Sequence, residues 1–321
     1  MKAVFIVFLA AASFFAPGMP ILCAQQGALK TAAYDEAGFL VDYAQKYGYF
    51  SAEGVAVEHS VSTGALRLLN AGRVDACISG MGGAADVFLR GIDIRVLAQL
   101  FPALNHYGVS RFSRADAVKI KAAAGGPASG EVAQRLKVML KYLGAKDVKI
   151  AAGRLDDSAK YKLLEEGKTD LVLLDSLSLM RKVRAEGKYY IFEPSEAYKG
   201  EGFLTGVLST RRAIAAKGPE LEKFIAGLRA AFDDALVQPD RVVSVLTEVY
   251  GFTAPEALAY HGNIVRGAAE ASFEPSQGPL DQVLTGVELP ANERKKTDLS
   301  GILAPEYAIK AVKRRSSPVK K

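Results

Sequence analysis

The chain has 321 residues, of which half are hydrophobic and 24% are charged. This composition is typical of a folded protein with a sizeable core and excludes a largely disordered chain. The formal charge is +6, but removing Lys2 and the six basic residues of 310–321 leaves −1 for residues 25–309. A basic nucleic-acid-binding surface is therefore excluded for the body of the protein, and the basic end is expected to be a flexible tail.

The first residues have the layout of a secretory signal peptide. Lys2 precedes an apolar run over residues 3–16, Pro17 and Gly18 interrupt it, and no acidic residue occurs before Asp35. This pattern predicts a signal over residues 1–24 and a periplasmic mature protein, with cleavage after residue 24. A transmembrane anchor and a lipid anchor on Cys23 remain as alternatives. In each case a single cysteine, Cys77, is left in the body, so no intramolecular disulfide is expected.

Strand and helix patterns then alternate from residue 28 to residue 192. Strands are predicted at 28–32, 55–58, 74–79, 94–98, 119–123, 148–151, 171–174 and 189–192, with helices between them. Such alternation predicts parallel sheets covered by helices on both sides. After residue 208 the pattern becomes helical, with helices predicted from Pro219, from Pro239 and after the capping-box sequence Thr253–Glu256.

Two blocks of this kind predict two lobes. Segments 107–110 and 203–209 are expected to be the strands that cross between them. The predicted organisation is a discontinuous first lobe (25–108 and 207–309), a second lobe (109–206) and the tail (310–321).

The motifs of several enzyme classes are missing. Gly125 to Gly130 has the glycine spacing of a phosphate loop, but Glu131 stands where that loop needs lysine. His59, His106 and His261 have no partner at metal-ligand spacing. We therefore predict no metal, no cofactor and no catalytic residue, although an acid/base pair assembled only in space stays open.

The polar groups of the chain are instead concentrated in loops that follow strands and precede helices. Each such loop offers backbone N–H groups and a short hydroxyl or carboxylate, which suits ligand binding at the edge of a sheet. Helix capping alone explains any one of these loops, whereas a common cleft explains the set.

Three segments resemble a known family. Residues 43–58 (YAQKYGYFSAEGVAVE), 69–76 (LNAGRVDA) and 165–170 (EEGKTD) are similar to segments of the nitrate/sulfonate/taurine and thiamine-precursor binding proteins. The resemblance implies a type II periplasmic binding fold, with two lobes of mostly parallel sheet joined by two hinge strands. It also implies a monomer that binds a small molecule and docks on the permease and ATPase subunits of an ABC importer. The residues expected in the cleft are Tyr34, Asp35, Thr63, Gly64, Ser79, Gly80, Met81, Tyr107, Ser129, Gly130 and Asp175. The ring of Tyr34 or of Tyr107 is expected to stack on the ligand.

The predicted function is thus an extracytoplasmic solute receptor without enzymatic activity. The ligand is expected to be a small polar organic molecule or an oxyanion. Two alternatives remain from the sequence: an enzyme on the same fold, such as a pyrimidine synthase or a dehydratase-like protein, and the ligand-binding subunit of a sensory receptor.

Overall fold

The computed structural model describes residues 27–62, 64–102, 106–126, 131–153, 155–198, 204–266, 268, 273–278, 280 and 299–316. The strands are β1 Leu29–Ala33, β2 Val57–Val61, β3 Ala76–Gly80, β4 Ile94–Pro102, β5 Tyr107–Ser110, β6 Ala122–Gly126, β7 Lys149–Ala152, β8 Leu171–Leu174, β9 Tyr190–Phe192 and β10 Leu204–Thr210. The α-helices are α1 Phe39–Lys46, α2 Tyr49–Ala52, α3 Ala65–Asn70, α4 Met81–Leu89, α5 Glu131–Leu143, α6 Asp157–Glu165, α7 Leu177–Glu186, α8 Pro194–Ala197, α9 Arg211–Val237, α10 Pro239–Tyr250, α11 Ala254–Tyr260 and α12 Glu306–Ser316. Short 3₁₀ helices cover Asp35–Gly38, Ala117–Lys119 and Ser300–Ile302, and a π-helix covers His261–Val265.

The strands form two five-stranded sheets. The first has the order β2-β1-β3-β10-β4, in which β1 to β3 are parallel and β10 runs antiparallel to β3 and β4. The second has the order β7-β6-β8-β5-β9, in which β6 to β8 are parallel and β5 runs antiparallel to β8 and β9. The chain therefore passes from the first sheet to the second between β4 and β5 and returns between β9 and β10. The predicted fold class is confirmed. Strand β5 covers the segment 107–110 that was predicted to cross, and β10 begins at Leu204 within the described part of the other predicted segment, 203–209.

Both faces of the first sheet are buried. Leu29, Ile78 and Val207 pack with helices α1, α9, α10 and α11, whereas their chain neighbours Cys77 and Leu208 pack with α3 and α4 on the opposite face. Successive side chains of a strand point to opposite faces, so a sheet covered on both sides needs continuous apolar strands. This accounts for the apolar runs of the sequence. The second sheet is covered in the same way by α5 and α8 on one face and by α6 and α7 on the other.

Some boundaries differ from the sequence prediction. The strand predicted at 119–123 was placed too early, because β6 begins at Ala122 and extends into the two glycines predicted as a turn. A Cβ on Gly125 would lie 3.1 Å from Leu136 Cδ2, so the missing side chain lets α5 pack directly on the strand. The second strand likewise lies at 57–61 rather than 55–58. The capping box of Thr253 and Glu256 is confirmed by both of its hydrogen bonds.

None of the described helices combines the length and the apolarity needed to span a bilayer. The predicted signal lies outside the described residues.

Candidate functional site

Three of the predicted ligand loops meet at one edge of the first sheet. Tyr34 follows β1, Ser79 lies near the end of β3, and Gly64 precedes α3. Because β1, β2 and β3 are parallel, their carboxyl ends reach the same edge. There the three residues line an open pocket of about 470 Å³.

The rest of the lining comes from α3 and α4. These residues are Ala65, Leu66, Arg67, Asn70 and Val87. Sequence reasoning missed the polar pair among them, Arg67 and Asn70. Helical periodicity carries a signal for both, because residues three apart from Gly64 to Arg67 and from Arg67 to Asn70 share one face of a helix.

Met81, which was expected to line the cleft, instead packs in the hydrophobic core. Gly80 ends β3 with extended dihedral angles (φ −60°, ψ 133°), and Met81 begins α4. The Met81 side chain is 1% exposed and belongs to the hydrophobic core between the sheet and α4. Met81 is therefore part of the core and does not line the pocket.

Asp175 lies at the corresponding edge of the second sheet, directly after β8. Its Oδ1 atom is 3.1 Å from Nδ1 of His106, the residue that precedes β5. His106 is buried, has a left-handed backbone (φ 76°), and its carbonyl accepts a hydrogen bond of 2.9 Å from the Tyr198 hydroxyl. Burial raises the pKa of the Tyr198 phenol, which keeps the hydroxyl protonated as the donor. Asp175 thus faces a histidine of the passage between the sheets.

A second carboxylate fixes the backbone of the Asp175 loop. Asp157 Oδ2 accepts hydrogen bonds of 2.6 Å from the backbone N–H groups of Asp175 and Ser176. Asp157 Oδ1 lies 2.6 Å from Nζ of Lys160, whose side chain is 5% exposed. Sequence reasoning did not predict this contact between Asp157 and the next loop.

Tyr107 lines a different cavity from Tyr34. This cavity of about 320 Å³ also involves Arg184, Glu193 and Pro194 of the second half, and Phe252, Glu256, Ala259, Tyr260, Asn263 and Ile264 of the helical part. The Arg184 guanidinium lies over the Tyr107 ring, 5.3 Å from its centre. The face of Tyr107 that was expected to stack on a ligand is therefore in contact with an arginine.

The remaining predicted residues cannot be placed in this way. Thr63, Ser129 and Gly130 lie outside the described residues. Asp35 begins the 3₁₀ helix after β1.

The described histidines and cysteine do not form a metal or nucleophilic centre. Within the described ranges, no group of three or more His, Cys, Asp or Glu side chains is arranged to hold a metal ion. His59 lies inside β2, where its Nδ1 atom is 2.9 Å from the Thr31 hydroxyl. Cys77 is fully buried, and burial raises the pKa of its thiol, which disfavours the reactive thiolate.

Solved structures of similar shape include binding proteins. A ligand-binding component of an ABC-type import system from Staphylococcus aureus, with zinc bound, gives a TM-score of 0.68 at 10% identity and covers 89% of this chain and 99% of its own. The periplasmic nitrate-binding protein of Synechocystis gives 0.66 at 9% identity (91% and 89% covered), and the periplasmic aliphatic sulphonate-binding protein of Escherichia coli gives 0.58 at 14% (92% and 90%).

Sequence comparison leads to one family. A search of the curated proteins finds no match. The family profile described as "NMT1/THI5 like" matches residues 36–242, which is more than half of the chain. This protein, with its two five-stranded mixed sheets in the periplasmic-binding-protein fold, therefore belongs to the NMT1/THI5-like family.

Proposed function

We propose that the protein is an extracytoplasmic receptor that captures a small polar organic molecule or an oxyanion and delivers it, chemically unchanged, to an ABC importer. The observation that carries the proposal is the convergence of Tyr34, Gly64 and Ser79 on one open pocket at the edge of the first sheet. Ligands of open α/β folds bind at this edge. Family membership and the shared fold support the same function.

The proposed receptor has two lobes, residues 25–108 with 207–309 and residues 109–206. The edge of the first lobe carries the pocket, and the corresponding edge of the second lobe carries the Asp175 loop. A ligand that contacts both edges stabilises the conformation in which they approach each other. Export through the signal at residues 1–24 would bring this receptor to the membrane subunits of the importer.

A thermal-melt screen of the mature chain tests the proposal. The panel contains sulfonates, nitrate, bicarbonate, amino acids, pyrimidines, flavins and polyamines. A ligand present at a hundredfold excess over its dissociation constant adds about 2.7 kcal/mol to the free energy of unfolding, which is a plain shift in melting temperature. The bound compound is then released and identified by mass spectrometry. Recovery of an altered compound would establish the enzyme alternative, and the lack of any stabilising compound would contradict the receptor.

A further inference from the structure

The pocket of the first sheet contains one described cationic side chain, that of Arg67. Its guanidinium lies over Gly64: a Cβ on this glycine would be 3.0 Å from Nη2 and 3.4 Å from Nε. The absent side chain at Gly64 therefore gives the guanidinium its place at the mouth of the pocket, beside the loop that follows β2.

Three donor side chains of this pocket have no hydrogen-bond or ion-pair partner among the described residues. In the described part of the chain, no hydrogen bond or ion pair involves the side chain of Arg67, Asn70 or Ser79. Arg90, which follows the last residue of helix α4, in contrast pairs with Asp86 at 2.7 Å. The arginine that lines the pocket thus keeps its donors available, whereas the one outside it is paired.

The chemistry of these groups defines what they bind. A guanidinium has five N–H donors and no acceptor, and its planar fork matches both oxygens of a carboxylate or two of the three oxygens of a sulfonate. The amide and the hydroxyl add further donors. Ala65, Leu66 and Val87 supply an apolar wall to the same pocket. The arrangement complements an anionic head group attached to a small apolar body.

We propose that Arg67 is the specificity-determining residue of the receptor, and that it binds the carboxylate or sulfonate head group of a small organic anion. Asn70 and Ser79 donate further hydrogen bonds to the head-group oxygens, and the apolar body of the ligand lies against Leu66 and Val87. This inference rests on the proposed function, since it assigns the ligand class of the same pocket.

Matched probes test the role of the charge. Butanesulfonate, butanoate, 1-butanol and butylamine are titrated by calorimetry into the wild-type protein and into Arg67→Gln and Arg67→Lys. We expect the wild type to bind one or both anions and neither the alcohol nor the amine. A charged hydrogen bond of this kind contributes about 1.5–3 kcal/mol, so Arg67→Gln is expected to weaken anion binding by roughly 10- to 100-fold. Arg67→Lys should fall between, because lysine keeps the charge and loses the fork.

The controls separate the possible failures. Arg90→Gln removes a surface arginine outside the pocket and should leave the affinity unchanged. Because Arg67 is exposed, its variants are expected to fold, and circular dichroism checks this. Wild-type affinity for the anion in Arg67→Gln, or wild-type binding of neutral or cationic compounds only, overturns the role of Arg67 and leaves the receptor standing. A wild-type protein that binds no compound from either panel overturns the receptor as well. The sulfonate and carboxylate arms distinguish the two head groups.

Discussion

His106 and Asp175 connect the segment before β5 with the loop after β8. Their Nδ1 and Oδ1 atoms are 3.1 Å apart, although the residues are far apart in sequence, and the His106 side chain is 8% exposed. The left-handed backbone of His106 is uncommon for a residue with a side chain and persists only where surrounding contacts hold it. The pair thus ties the segment before β5 to a loop of the proposed binding edge.

A double-mutant cycle measures this pair. His106→Ala and Asp175→Ala should each lower the free energy of unfolding, and the two changes together should cost less than the sum of the single changes. For contacting residues, we expect a coupling of about 0.5–3 kcal/mol, measured by urea unfolding. Additive changes would show that the two side chains do not interact in solution.

The Asp157 carboxylate should be required for the position of the Asp175 loop. Asp157→Asn cannot accept both backbone N–H groups and neutralise Lys160 at once, so a buried donor loses its partner. The expected cost is about 1–3 kcal/mol in urea unfolding. Asp86→Asn is the matched control, because its ion pair with Arg90 is on the surface, where such pairs contribute about 0–1 kcal/mol. An equal effect of both substitutions would contradict the assigned role.

Gly227 should not tolerate a larger side chain, although it lies within helix α9. A Cβ at this position would be 2.7 Å from Cδ1 of Phe50, whose ring stacks on Phe224 with a centre-to-centre distance of 5.1 Å. Alanine improves helix propensity by about 1 kcal/mol, but overpacking of a core costs about 1–3 kcal/mol. Gly227→Ala should therefore lower the melting temperature.

Gly218→Ala, beside the kink of α9 at Lys217, should lower the melting temperature less than Gly227→Ala. There a Cβ would make an ordinary contact of 3.4 Å with the Tyr307 hydroxyl. Combining Gly227→Ala with Phe50→Leu should recover part of the lost stability. A melting temperature that rises in Gly227→Ala alone would show that the ring of Phe50 moves aside without cost.

The order of strands and helices could be predicted from the sequence because it depends on local patterns of apolar residues and glycines. Apolar runs such as 171–174 form strands buried on both faces, and glycines at positions such as Gly187 end helices in the left-handed conformation that favours glycine. Errors occurred where tertiary packing decides the bounds of an element. At Gly125, for example, α5 packs against the glycine, and strand β6 continues through it.

The site could be predicted only in part for the same reason. Loops that follow parallel strands reach one edge, and Tyr34 and Ser79 accordingly line the same pocket. No local rule places His106 opposite Asp175, or an arginine over the ring of Tyr107, because these contacts depend on how distant segments meet.

The Asp234 carboxylate should make stability depend on acidic pH. Burial raises its pKa, but hydrogen bonds from Tyr43 and Arg241 (2.6 and 2.9 Å) outweigh this and hold the pKa of Asp234 below its ordinary value. A carboxyl with a lowered folded-state pKa contributes stability above its unfolded value, about 3.9, and loses it as the pH falls through the folded value. The stability difference between the wild type and Asp234→Asn should therefore be largest near neutral pH and shrink below about pH 4. Urea unfolding at several pH values measures it, and a constant difference would contradict the assignment.

Arg181 and Arg184 should control how the two halves of the molecule sit against each other. Both project from α7, which is anchored to the second sheet by the fully buried Met180 and Val183. Arg181 donates a hydrogen bond of 2.8 Å to the carbonyl of Tyr250, and its guanidinium lies 5.4 Å from the centre of the Phe252 ring. Tyr250 and Phe252 pack against the core of the first sheet.

Arg184 adds an ionic link across the same boundary. It pairs with Glu193 at 2.7 Å on its own side and lies 3.6 Å from Glu256 on the other. The cavity lined by Tyr107 and Tyr260 lies beside these contacts. A boundary with polar links and open space is expected to permit relative motion, unlike a large apolar interface.

The double substitution Arg181→Ala/Arg184→Ala should therefore lengthen and broaden the distance between α7 and α11. This distance is measured without any ligand by pulsed electron paramagnetic resonance. Spin labels are attached to cysteines introduced at Ala185 and Leu258, in a chain carrying Cys23→Ser. Cys77 is buried and its thiol pKa is raised, so it should stay unlabelled. Arg90→Ala is the control for loss of a surface arginine. An unchanged distance distribution in the double variant would show that the arginines do not set the angle between the sheets. A shift would identify them as the contact that sets it. Changing this contact would then tune ligand affinity, because affinity depends on the population of the binding-competent state.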